Sequence, residues 1–192
     1  MIVKKHKLIF VHPPKCAGES ICIALTGTNN NRKGGDGMEG KRGKHWGVND
    51  YSSKYPYLFK TYCSFTVVRN PWDRVISWVK YHDKRRNRTQ GTFKHRLKHD
   101  LKSWGWMKRN TYEKLLCMNG RMCVDKVLRF ENLNEDFKKM CRELNITSSP
   151  LPIINSTSHD HYSAYYDKDT QELVKSLFSW DINFFKYKFE ND

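Results

Sequence analysis

The chain has 192 residues, 38% of them hydrophobic, enough to bury one core and too few for a second independent domain. Its 35 Lys and Arg against 20 Asp and Glu leave a formal net charge of +15, which calls for an anionic partner. No apolar run approaches the roughly eighteen residues that cross a bilayer, and no signal peptide is evident, so the expectation is a soluble, cytoplasmic chain without an integral membrane segment.

Lys7 to His12 reads as a short strand, stopped by Pro13 and Pro14 and followed by a Gly-containing turn and an apolar helical segment, Ile21 to Leu25. Residues 28–44, rich in Asn, Gly and Lys, are expected to form a mobile loop. Ser64 to Val68 is a second buried strand. Asn70 then suits an N-cap and Pro71 the first helical position, with Val75, Ile76 and Val79 as the apolar stripe. Phe93, Leu97, Leu101 and Trp104 recur at helical spacing in a segment that also carries Lys94, Arg96, Lys98 and Lys102. Between Lys80 and Arg109 there are eleven Lys and Arg against Asp83 and Asp100 alone, so nine of the fifteen excess charges lie there. Val124 to Phe130 is a third strand and Asn134 to Leu144 a helix. A polar loop, Asn155 to His161, leads into a last helix, Lys168 to Trp180. Strands alternating with helices predict an α/β class with a central parallel sheet covered on both sides.

The six cysteines, Cys16, Cys22, Cys63, Cys117, Cys123 and Cys141, contain no CxxC pair and no zinc spacing. Buried free thiols are expected, although a Cys117–Cys123 bridge is sterically conceivable. Sequons at Asn87, Asn145 and Asn155, where roughly one or two are due by chance, hint at a secretory-pathway relative and decide nothing.

Two constellations carry chemistry. PPKCAGES, residues 13–20, lies between a strand and a helix, where backbone N–H groups and the positive end of the helix dipole form an anion site. Lys15 adds a full charge, Gly18 permits close approach and Ser20 a hydroxyl donor. The sequence GxxxxGK[ST] is missing, so Mg-nucleotide hydrolysis is not indicated. The second is Arg69-Asn70-Pro71-Trp72-Asp73-Arg74 with Ser77, again at a strand end and helix start, where an arginine fork and a hydroxyl suit a phosphate monoester. Arg74 itself reads as an ordinary surface ion-pair residue.

A PKxGxxS loop after the first strand and RNPxDRxxS after a later one resemble the two donor loops of PAPS-dependent sulfotransferases (PAPS is 3'-phosphoadenosine 5'-phosphosulfate), in particular their carbohydrate-type (Golgi-like and bacterial) branch. Arg129 to Leu133 and Tyr162 to Phe189 resemble the family's strand-end segment and C-terminal tail. The resemblance implies a single-domain, P-loop-like three-layer fold over residues 1–192, with 80–115 as a basic, acceptor-binding insertion. It implies transfer of a sulfuryl group from PAPS, without a metal, to a hydroxyl or amine, giving PAP. Lys15, Cys16, Ala17, Gly18, Glu19 and Ser20 would hold the phosphosulfate, Arg69 and Ser77 the 3'-phosphate, and Tyr162 would close over the donor. Glu19 stands where the family often has Thr, Gly or Ser, and residues 158–162 lack the Lys or Arg common before this tyrosine. His45 resembles the family histidine between the donor loops and is the candidate general base beside a catalytic Lys15, ahead of His12, His159, His161 and Glu19. Arg85, Arg86, Lys94, Lys98 and Trp104, with Trp106 nearby, are candidates for an anionic glycan acceptor. An excised Golgi lumenal domain would carry the same motifs. Two rivals stand beside this reading: a basic nucleic-acid-binding protein, which explains neither loop, and a P-loop kinase, which needs the lysine this chain lacks.

Overall fold

The structure, a computed structural model, describes residues 1–27, 45–88, 91–103, 105–154 and 160–190; the expected loop 28–44, Trp104, Asn155 and His159 lie outside the described residues. In chain order the elements are β1 (Ile2–Val3), β2 (Leu8–Val11), α1 (Gly18–Thr26), α2 (Val48–Lys54), α3 (Pro56–Thr61), β3 (Cys63–Val68), α4 (Pro71–Arg86), α5 (Phe93–Ser103), α6 (Gly105–Arg109), α7 (Tyr112–Leu116), β4 (Cys117–Met118), β5 (Arg121–Met122), β6 (Lys126–Arg129), α8 (Leu133–Glu143), α9 (Lys168–Leu177) and α10 (Ser179–Phe185). The class is α/β, with a mostly parallel sheet and flanking helices. As far as they are described, the residues form two compact units: Met1–Val68 with Tyr112–Ile154, and Arg69–Thr111 with Asn155–Asp192.

The first unit is built on a sheet of order β1-β2-β3-β6. β2 and β3 pair in parallel, Leu8 opposite Cys63 through Val11 opposite Thr66, and β3 pairs in parallel with β6. Leu8, Ile9, Phe10 and Val11 are all buried, as are Phe65, Val67 and Val68. Burial on both faces is why these strands read as continuous apolar runs rather than alternating ones. The buried Thr66 hydroxyl donates to the Val11 carbonyl at 2.9 Å, so its polarity is matched inside the core. Asp125 accepts from both the amide and the hydroxyl of Ser64 at 2.7 Å, which ties the entry of β6 to β3.

The sheet differs from the wholly parallel one expected, because β1 joins its edge antiparallel, Ile2 opposite Ile9. Two residues give no periodicity to read. The β4–β5 hairpin was also missed, although Asn119 and Gly120 both take the left-handed conformation that a two-residue turn demands. Its register places Cys117 opposite Met122, so Cys117 and Cys123 are offset by one residue and leave opposite faces of the ladder. Neither cysteine is in a disulfide.

The second unit packs Trp72, Val75, Ile76 and Val79 of α4 against Leu97 and Leu101 of α5, Met107, Tyr162, Tyr166, Val174, Phe178 and Ile182. The segment read as 80–115 divides accordingly: residues up to Thr111 belong to this unit, and Tyr112 onward to the first. α4 starts as expected, with the Asn70 side chain accepting from the Trp72 amide and Pro71 in the first turn. Arg74 corrects the sequence reading. It is 1% exposed, and its Nη2 donates to the Asn110 carbonyl at 2.7 Å, because the first turns of α4 bury almost their whole circumference. The last helix expected, 168–180, breaks at Phe178 into α9 and α10, and α9 opens on the Asp167 carboxylate accepting from the Thr170 amide.

The two acids of the basic segment are used internally. Asp100, 2% exposed, accepts both ends of the Arg88 guanidinium, at 3.0 and 2.7 Å, and Asp83 takes Arg88 and Arg96 at 2.9 and 3.1 Å. Arg88→Ala strips Asp100 of its bidentate partner and is expected to cost about 2–3 kcal/mol, read as a lower urea midpoint with an unchanged slope.

Candidate functional site

In the first unit the chain leaves β2 at Val11 and enters α1 at Gly18 through six residues, the last three of which alternate in backbone hand. Lys15 has φ of 66° and Ala17 φ of 53°, both left-handed, whereas Cys16 between them is not. Non-glycine residues in that region cost about 1–2 kcal/mol each, and such strain collects where a chain must present its amides to a ligand. Successive residues of alternating hand are the backbone pattern from which anion-binding nests are built. Ala17 is also the N-cap of α1 and has no side-chain acceptor to offer the first-turn amides. Lys15 is half-buried in this loop and Ser20 is 8% exposed.

Gly18 is required for a reason the sequence did not show. A Cβ there would lie 1.6 Å from Nε2 of His12, so the imidazole already fills the space above its Cα. His12 is 4% exposed and stacks on Phe10 at 5.1 Å. Gly18→Ala must expel that ring, at an expected cost of about 2–3 kcal/mol, measurable as a drop in unfolding midpoint.

His45 joins the same cluster. Its Nδ1 lies 3.0 Å from the His12 carbonyl, and its ring stands edge-on to the His12 ring at 4.9 Å. The following residues hold it in place. Trp46 packs on Tyr51 and Tyr55, with Lys54 over its ring at 5.3 Å. The Gly47 amide donates to Asp50 at 2.8 Å, and a Cβ on Gly47 would meet the Leu115 carbonyl at 2.9 Å.

In the second unit, Arg69 follows the last residue of β3 and is 8% exposed. Its guanidinium grips Asp73 with Nε and Nη2, at 2.7 and 2.8 Å. Asp73 was given no role in the sequence reading, although the i, i+4 spacing of opposite charges signals the pair. Ser77 follows four residues later on the same side of α4 and is half-buried. Asn70 Nδ2 donates to the Tyr162 hydroxyl at 3.3 Å and to the Lys188 carbonyl at 3.0 Å, and that hydroxyl also accepts from the Glu190 amide at 2.7 Å. Burial pushes the Tyr162 phenol above its ordinary pKa, so it stays protonated.

Over residues 1–188 the chain matches the family model described as the sulfotransferase family. The chain belongs to the sulfotransferase family. No curated protein and no solved structure matches it. Sulfuryl transfer is thus the general activity of this sulfotransferase. Among its described residues no helix is long and apolar enough to cross a membrane.

The remaining sequence-predicted residues fall in distinct places. The Cys16 side chain is fully buried, its sulfur 3.4 Å from the Tyr112 hydroxyl, so the thiol is part of the core. Glu19 sits half-buried in the first turn of α1, where the helix dipole suits a carboxylate. His161 caps the turn that holds Tyr162, its Nδ1 2.9 Å from the Ser163 hydroxyl. Arg85 and Arg86 are exposed in the last turn of α4. Lys94 and Lys98 are exposed on α5, and Lys98 meets Asp169 at 3.1 Å, an exposed pair of little energetic weight.

Proposed function

We propose that this sulfotransferase moves a sulfuryl group from PAPS to a hydroxyl or amine, with an anionic carbohydrate as the acceptor class. The observation that carries this reading is the loop from His12 to Gly18: two left-handed non-glycine residues on an alanine-capped helix, with a lysine and the His45 imidazole in the same unit. An amide nest with a lysine fits a phosphosulfate, which is anionic and rich in acceptor oxygens.

PAPS supplies the sulfur: the acceptor oxygen forms a new S–O bond as the S–O bond to the 5'-phosphate breaks, and PAP leaves. Amides of residues 16–20 and the Ser20 hydroxyl hold anionic oxygens, and the Lys15 ammonium offsets the charge that builds on the departing phosphate. His45 takes the proton released by the acceptor. In the second unit, Arg69 and Ser77 are the groups for the 3'-phosphate, with Asp73 steadying the guanidinium. The exposed Arg85, Arg86, Lys94 and Lys98 supply positive charge for the acceptor.

Calorimetric titration with PAP and with Mg-ATP tests the reading. Metal-independent PAP binding with no heat from Mg-ATP is the expected result. Preference for Mg-ATP would favour a kinase, and salt-steep binding of DNA or RNA with no PAP binding would favour the nucleic-acid rival. Transfer of labelled sulfate from PAPS to a panel of glycans and phenols then identifies the acceptor.

A further inference from the structure

We infer that His12 is a positioning residue, whose imidazole, wedged between Phe10 and Gly18, holds the main-chain oxygen that fixes the tautomer of His45. This rests on the reading of His45 as the general base.

A carbonyl oxygen can only accept. At 3.0 Å from the His12 carbonyl, Nδ1 of His45 therefore carries the proton, and the basic lone pair of the neutral ring is on Nε2. A histidine side chain in water prefers the opposite tautomer, with Nε2 protonated. A base that must accept through Nε2 thus needs its other nitrogen held by a fixed acceptor. A main-chain oxygen in a loop of uncommon backbone conformations is fixed only if something clamps that residue.

The His12 side chain is the clamp. One face lies on Phe10 at 5.1 Å and 19°, and Phe10 stacks on its register partner Phe65 at 4.8 Å and 11°. The three rings thus run from β3 through β2 to the start of the loop. The ring also covers Gly18, where no Cβ would fit, and presents an edge to His45. At 4% exposure His12 is closed to an acceptor, which separates its role from that of the half-buried His45. One side chain thereby ties the first turn of the anion-binding helix to the protonation pattern of the base.

The test is long-range proton–nitrogen correlation NMR on the full chain labelled with 15N histidine, at alkaline pH without donor or acceptor. His45 in the wild type should show a protonated Nδ1 and a bare Nε2. His12→Ala should shift His45 toward the Nε2–H form and lower kcat about tenfold, a fraction of a general base's worth, with PAP affinity held within about threefold. His12→Phe, which refills the slot over Gly18 with a ring, should restore both tautomer and rate. An Nε2–H tautomer for wild-type His45 overturns the inference even if no variant folds. So does an Nδ1–H tautomer that survives His12→Ala, or a His12→Phe that keeps the tautomer but not the rate. PAP titration of the same samples keeps the two readings apart: absence of PAP binding sinks the donor reading and leaves the tautomer standing, while the wrong tautomer leaves PAP binding intact.

Discussion

Lys15→Ala should lower sulfate transfer by about three orders of magnitude, the scale of removing one preorganised charge from a developing anion. Its unfolding midpoint should barely move. The reason for the separation is in the backbone: Lys15 has φ of 66°, a conformation alanine tolerates no better and no worse than lysine, so the substitution removes charge and leaves strain. Lys15→Gly sharpens the comparison. Glycine accepts that φ without penalty, so this variant should unfold about 1 kcal/mol later than Lys15→Ala and be just as inactive. Labelled-sulfate turnover and urea unfolding on the three proteins check both halves. Near-normal turnover by either variant would remove Lys15 from the reaction. Equal stability of the two variants would remove the claim that the loop stores strain for its ligand.

The basic segment shows how charge counting alone misleads. Of its arginines, Arg88 and Arg96 are committed to Asp83 and Asp100, and they brace α4 against α5. Among the described residues, the exposed cations of the segment lie in the last turn of α4, Lys84 to Arg86, at Lys94 and Lys98 of α5, and at Lys108 and Arg109 of α6. Buried ion pairs of this kind contribute little net stability when intact and much instability when broken. Their visible effect is to decide which cations face outward.

The features legible in the sequence are those with a short-range cause. Strands β2 and β3 announce themselves through apolar runs, and α4 through Asn70 and Pro71. The strand–loop–helix placement of Lys15 to Ser20 was legible because a proline-broken strand followed by an apolar helical segment is a local pattern. Most of the features that escaped depend on tertiary contacts that no local pattern announces. Nothing near Gly18 says that a ring six residues earlier lies on its Cα, and nothing near Arg74 says that the carbonyl of Asn110 awaits it. α2 and α3 escaped because VNDYSSK and PYLFKT show no apolar stripe; they are held by two buried residues, Val48 and Tyr51, and by the proline at the start of α3. Gly47 is required by the Leu115 backbone, 68 residues away.

His45→Ala should reduce kcat by about two to three orders of magnitude and leave PAP affinity unchanged, the signature of a group that acts on the acceptor proton rather than on the donor. The side chain is half-buried and its ring bonds to the His12 carbonyl, so its loss should cost only about 1 kcal/mol of stability, too little to explain a large fall in rate. The sign of the pH dependence follows from the role. A base must be neutral to accept a proton, so wild-type kcat rises with pH as the imidazole deprotonates, and that limb should be absent from the His45→Ala profile. His45→Gln separates shape from proton transfer: its amide can still donate to the His12 carbonyl but cannot serve as a base, so it should be as slow as alanine and as stable as wild type. A glutamine variant with wild-type turnover would mean that His45 orders the loop and that the acceptor loses its proton elsewhere.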